Sequence, residues 1–260
     1  MRISSIVMPL LTLLFGIVGY NLRVLEHRNV FDPITGLPER GATTTHMLFA
    51  LTALFLLVTF LFVLFSILRN KSSKKFGLAF GTDKLYYPFV VTVIGAAWAI
   101  GALVYFFELR SYYDALDTID IIFIISSGVA ACSVIIFAYE IFGETERRTP
   151  YKLSVIPILF MCFWLVLMYR DNASNPVLLG YVYQILAIAF ASLAFYCTAC
   201  FVYGKSVPGK AIFSYFSAIY FCAITLADGH SVGINIILVA VIAFCFFYAS
   251  RLIRSMERKH

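Results

Sequence analysis

The sequence predicts an all-α fold, a polytopic transmembrane helix bundle of eight spans with both termini in the cytoplasm. Three observations carry that expectation. The 260 residues are 62% hydrophobic and 13% charged, with a mean hydropathy of +0.90, whereas a soluble domain is roughly 45–50% apolar and about 25% charged. The apolar residues gather into stretches of membrane-spanning length. The basic residues are distributed unequally between the segments that join those stretches. This composition excludes a soluble enzyme, a disordered chain, a secreted disulfide scaffold and a free nucleic-acid-binding domain.

A bilayer core about 30 Å thick needs about 20 predominantly apolar residues per helix. Eight stretches qualify: 3–22, 44–68, 87–107, 120–142, 153–169, 176–203, 211–227 and 231–251. The first follows Arg2 and has the outline of a signal peptide. Its run from Ile3 to Leu22 is long, however, and no small-residue cleavage site follows Tyr20, so it reads as a retained helix. The fifth and seventh stretches are short, and seven spans with a re-entrant segment is the alternative count. Residues 1–260 are expected to form a single transmembrane domain.

With eight spans, one side receives Arg2, Arg69, Lys71, Lys74, Lys75, Lys84, Arg147, Arg148, Lys152, Lys205, Lys210, Arg251, Arg254, Arg258 and Lys259. The other side receives only Arg23, Arg28, Arg40, Arg110 and Arg170. Cytoplasmic loops are the Lys/Arg-rich ones. The expectation is therefore a multi-pass protein of the cell membrane with both termini inside. The Arg69–Lys84 loop and the tail from Arg251 to His260 are basic enough to meet anionic headgroups.

Each four-span half opens with a span ending in Tyr and Arg (Tyr20 and Arg23; Tyr169 and Arg170) and later has a span whose outer end bears an acid (Glu108; Asp228). This weak repeat suggests two parallel four-helix halves. Small residues at Gly95, Ala96, Ala97, Ala99 and Gly101 in the third span, and at Ser126, Ser127, Ala130 and Ala131 in the fourth, allow close helix contact. They make those two spans the expected centre of the bundle. The six cysteines all fall in apolar stretches, so no structural disulfide is expected. Cys197 and Cys200, embedded in mid-helix, read as packing residues rather than a redox pair.

The polar features collect on the outer side. The segment from Glu26 to Gly41, with Pro33, Gly36, Pro38 and Gly41, is rich in turn-forming residues. It reads as a compact loop, either a cap on the bundle or a lid over a ligand. Three of the four histidines (His27, His46, His230) lie on this side with Glu26, Asp32, Glu108, Asp120 and Asp228. Imidazole and carboxylate suit a divalent metal or a proton relay, but the spacing is not that of a metal motif, and whether a metal binds is left open. Ionisable groups at span ends are least costly when they pair or hydrate together. The expected ligand pocket is therefore Glu26, His46, Glu108, Asp120, Arg170, Asp228 and His230, with Arg170 approaching Glu108 or Asp228 and His46 next to a carboxylate. Around Ser174, Asn175 and Pro176 the residues suit the N-terminus of the sixth helix.

Two stretches, Asn29–Pro38 and Asp171–Leu179, resemble segments of uncharacterised multi-spanning membrane proteins of anaerobic Gram-positive bacteria. That resemblance implies the topology and brings no activity, cofactor or site residue with it.

The leading functional expectation is a membrane protein that binds or moves a small molecule or lipid through an outward-side polar pocket. A non-catalytic scaffold or sensor subunit, recruiting a protein partner through its cytoplasmic loops, is the alternative. A quinone-interacting anchor subunit of an electron-transfer complex is the third. No enzyme motif and no nucleic-acid partner is indicated, and the sequence specifies no cofactor.

Overall fold

The structure, a computed structural model, describes residues 4–31, 42–71, 76–80, 86–112, 116–142, 152–173, 177–205 and 207–258. It is helical almost throughout. In chain order the elements are α1 (Ser4–Asn29), α2 (Thr43–Arg69), β1 (Asn70–Lys71), α3 (Phe76–Phe80), α4 (Tyr86–Tyr112), α5 (Thr118–Ile141), α6 (Ile156–Asn172), a 3₁₀ turn (Leu178–Gly180), α7 (Val182–Val202), α8 (Pro208–Thr225), α9 (Val232–Ser255) and β2 (Glu257–Arg258). The eight long helices fall on the eight apolar stretches. Six of them (α1, α2, α4, α5, α7 and α9) are long and apolar enough to cross a membrane. Their outward faces are apolar too: Leu57, Phe60, Leu61 and Phe65 of α2, and Phe89, Val93, Ile100, Leu103 and Phe107 of α4, are exposed. A contiguous surface of that kind is a liability in water and costs nothing in hydrocarbon. The bundle has the character of a multi-pass membrane protein.

Consecutive long helices alternate in direction between two ends. At one end the last turn of α1 meets the segment after α8, where Arg23 bonds Asp228. The end of α4 meets the start of α9 there as well, through Glu108 and Val232. At the opposite end β1, following α2, pairs antiparallel with β2, following α9, with Asn70 opposite Arg258 and Lys71 opposite Glu257. These are called here the charged end and the strand end.

The centre of the bundle is α8, not the pair α4 and α5 expected from their small residues. From Gly209 to Thr225 every residue of α8 is buried except Lys210 and Phe213, and α1, α2, α7 and α9 surround it. The small residues of α4 do their predicted work locally: Gly95 lies against Ile135 and Ala131 of α5, and a Cβ on Gly101 would fall 2.9 Å from the carbonyl oxygen of Gly233 in α9. Hydropathy could not rank the helices by depth, because a lipid-facing side chain and a core side chain are equally apolar. The short seventh stretch is the most enclosed helix.

Three further differences from the sequence reading matter. The first helix does not stop at Leu22; it runs on to Asn29, so Arg23, Glu26 and His27 lie on helix rather than in a loop. The sixth stretch starts late, with the 3₁₀ turn at Leu178–Gly180 preceding α7. Between α2 and α4 the short helix α3 packs inward at the strand end. Phe76 of α3 stands perpendicular to Phe137, and Phe80 packs edge-on against Phe201 and Tyr248 with ring centroids 5.0 Å away. Arg251 of α9 donates from Nε to the Phe80 carbonyl oxygen at 2.8 Å and lies over the Tyr86 ring, so this basic residue holds the fold together. The outer segment 32–41, the residues 174–176 and Lys74, Lys75, Lys84, Arg147 and Arg148 lie outside the described residues. All six cysteines are free.

Candidate functional site

The charged end is organised around Arg23. Its side chain is fully buried, as is that of Glu26 one turn later. Nη1 donates to Glu26 Oε2 at 2.7 Å, Nε to Asp228 Oδ1 at 2.6 Å, and Nη2 to the Gly180 carbonyl oxygen at 2.9 Å. The guanidinium also lies 5.1 Å from the centre of the Tyr183 ring, within cation–π range. Glu26 is held from its other oxygen by Thr45, whose hydroxyl donates to Oε1 at 2.6 Å. The His27 ring nitrogen Nε2 sits 3.0 Å from Asp228 Oδ1. One planar fork of donors thus ties α1 to the start of α2, to the turn before α7 and to the turn after α8.

The helical period explains how α1 supplies this. Residues at i, i+3 and i+4 share a face, and Arg23, Glu26 and His27 have that spacing. Gly229, with φ +72°, supplies the left-handed residue that a tight turn between α8 and α9 needs, so that Asp228 faces α1. A buried charge is tolerated where it is paired and hydrogen-bonded. Here two carboxylates face one guanidinium, and Asp228 Oδ2 is buried with no hydrogen-bond partner among the described residues.

Beside this network lies a cavity of about 210 Å³, lined by Tyr105 of α4, Asp120 and Phe123 of α5, Trp164, Met168, Arg170, Asp171 and Asn172 of α6, Gln184 of α7, and His230 and Ile234 of the turn into α9. Its inner wall is aromatic: Phe123 stands edge-on to Tyr105 (5.6 Å, 77°) and to Trp164 (5.5 Å, 74°). His230 connects cavity and network. Burial pushes its imidazole below the ordinary histidine range; Asp228 opposes that, while Arg23 and His27 reinforce it. His230 is therefore neutral at pH 7.

The seven residues expected in one pocket divide into four sets. Asp120, Arg170 and His230 line the cavity. Glu26 and Asp228 belong to the Arg23 network. Glu108 does something else: its two carboxylate oxygens accept from the backbone N–H groups of Val232 and Gly233, both at 3.0 Å. It caps the N-terminus of α9 from a different helix, where a carboxylate also complements the helix dipole. His46 is exposed on the first turn of α2. Arg170 pairs with Asp171, through Nε at 2.9 Å and Nη2 at 2.7 Å, rather than with Glu108 or Asp228.

Arg23, Thr45, Tyr183 and Gln184 are absent from the sequence-based pocket. The signal for Arg23 was present: its i, i+3 and i+4 relation to Glu26 and His27 becomes meaningful once the helix is allowed past its first charge. Tyr183 and Gln184 sit in an apolar stretch, and nothing in the pattern marks which face they take. Among the described residues no group of three His, Cys, Asp or Glu side chains is arranged to hold a metal ion. No protein-family description, curated protein or solved structure matches the chain.

Proposed function

We propose that the chain is an eight-span protein of the cell membrane, with both termini cytoplasmic, that binds a small molecule or a lipid headgroup in the cavity at its charged end. The alternating directions of the eight long helices support the count of eight, with α6 and α8 spanning as well. The Lys/Arg distribution supports placing the strand end, where α2 and α9 finish, in the cytoplasm. The charged end then faces outward.

The observation that carries the binding reading is the cavity itself. Five helices border it, its wall combines aromatic rings with a few convergent polar groups, and this is the usual make-up of a small-molecule site. At about 210 Å³ it has room for a headgroup or a compact metabolite. The Arg23 network next to it supplies rigidity, because it holds the turns that lead into α7 and α9, and Gln184 of α7 and His230 of the second turn line the site.

The test is ligand-dependent thermal stabilisation of the purified protein in a maltoside detergent, screened with compact polar metabolites and short-chain lipids of differing headgroup. At least one compound should raise the melting temperature, with the effect lost in Gln184→Phe, which fills the cavity. A set of compounds of every charge class that leaves the melting temperature unmoved would remove the binding reading and promote the scaffold alternative.

A further inference from the structure

We infer that the cavity takes a small organic cation, an alkylammonium group either free or as the terminus of a lipid headgroup. This rests on the binding reading above and specifies its chemistry. The first argument is the charge left over. Arg170 and Asp171 neutralise each other through two hydrogen bonds to one carboxylate oxygen. The other lining acid is Asp120, and His230, neutral for the reason given above, adds no positive charge. The lining carries a net negative charge of one.

The second argument is independent of the acids. Phe123 meets Tyr105 and Trp164 nearly at right angles, so rings in different planes border one volume. Aromatic faces are the negative end of the ring quadrupole, and cages of such rings are the recurrent solution for quaternary ammonium ions. An anion entering here would meet Asp120 and the rings, and the one cation lining the cavity, Arg170, is already held by Asp171.

The third is Gln184. It is 5% exposed and borders the cavity, so its side-chain amide is within reach of a molecule held there. A glutamine amide offers an oxygen that accepts from the N–H of a primary or secondary ammonium or from the hydroxyl of choline. Gln184 and the rings together point to a cation that is partly greasy and partly hydrogen-bonding.

Trp164 gives a direct readout, because the chain has only two tryptophans and Trp98 does not line this cavity. The full-length protein in maltoside, carrying Trp98→Phe to isolate Trp164, is titrated with choline, ethanolamine and tetramethylammonium. Its controls are 3,3-dimethylbutanol, the neutral isostere of choline, and acetate and phosphate as anions. The expected result is saturable change in Trp164 emission by the cations, with the neutral isostere about tenfold weaker and the anions silent. Asp120→Asn should reduce cation affinity by about tenfold. The comparison of choline with its isostere needs no further variant, so it stands even where Asp120→Asn fails to fold. Stronger binding of dihexanoyl-phosphatidylcholine than of choline assigns the ammonium to a lipid headgroup, and the reverse assigns it to a free cation. Equal binding by the neutral isostere, or binding by anions alone, overturns the cation class and leaves the pocket. Silence of every compound, charged or neutral, removes both.

Discussion

Arg23 and Asp228 stand 205 residues apart in the chain and meet at 2.6 Å with both side chains withdrawn from solvent. His27, one turn further along α1, reaches the same carboxylate oxygen at 3.0 Å. Arg23→Met keeps the aliphatic packing and leaves Glu26 and Asp228 buried without their cation. Breaking a buried pair from one side costs about 3–5 kcal/mol. Combining it with Asp228→Asn should recover part of that loss, since the orphaned charge is gone. Melting temperatures of the single and double variants in detergent check this; strictly additive losses would show that the two side chains do not interact.

Glu108 gives a prediction about a helix end rather than a charge pair. Its carboxylate satisfies two N–H groups of α9 that have no intrahelical acceptor. Glu108→Ala should cost about 1–2 kcal/mol and speed amide exchange at Val232 and Gly233 while leaving the strand end protected. Glu108→Gln, which retains one good acceptor, should fall between. Gly233→Ala should be worse than either, because a Cβ there collides with the Tyr105 backbone.

The eight stretches were legible because water and hydrocarbon separate polar from apolar chain so sharply that length alone marks a span. Depth inside the bundle was not. Leu57 faces outward and Ile219 is fully enclosed, yet both are simply apolar in the sequence. The site was half legible for a related reason. Asp120, Arg170 and His230 advertised themselves as charges at helix ends, and they do border the cavity. Glu26 and Asp228 were also marked, but Arg23, which joins them, was read only as the end of the first span and not as part of the pocket, because that helix was closed at Leu22. Gln184 and Trp164 look like ordinary residues of apolar stretches, and only the packing of α6 against α7 shows which side they present.

Topology is testable at single positions. Arg28, Asp171 and Lys205 are exposed, and each can carry a cysteine without touching the core. In a background with the six natural cysteines replaced by Ala or Ser, an impermeant maleimide applied to intact cells should label Arg28→Cys and Asp171→Cys. Lys205→Cys should react only after lysis. Labelling of Lys205→Cys from outside would invert the orientation, and opposite behaviour of Arg28→Cys and Asp171→Cys would break the eight-span arrangement.

The last prediction concerns pH. His230 is buried beside Asp228, Arg23 and His27, and its affinity for a proton is lowered in the folded state, chiefly by burial. An unfolded histidine titrates near pH 6.5, so between that value and the lower folded value the unfolded chain binds the extra proton and the folded one does not. Stability then rises with pH through this window: its full contribution is present above about pH 6.5 and is lost progressively as the pH falls toward the folded value. Asp228 opposes the shift and the Arg23 guanidinium reinforces it, and the net direction remains downward. Melting temperatures of the parent and of His230→Asn, measured from pH 7.5 to pH 5.0 in one detergent, separate His230 from other titrating groups. The parent should lose more stability than the variant across that range. Parallel curves would mean that His230 takes up its proton in the folded protein as readily as in the unfolded chain.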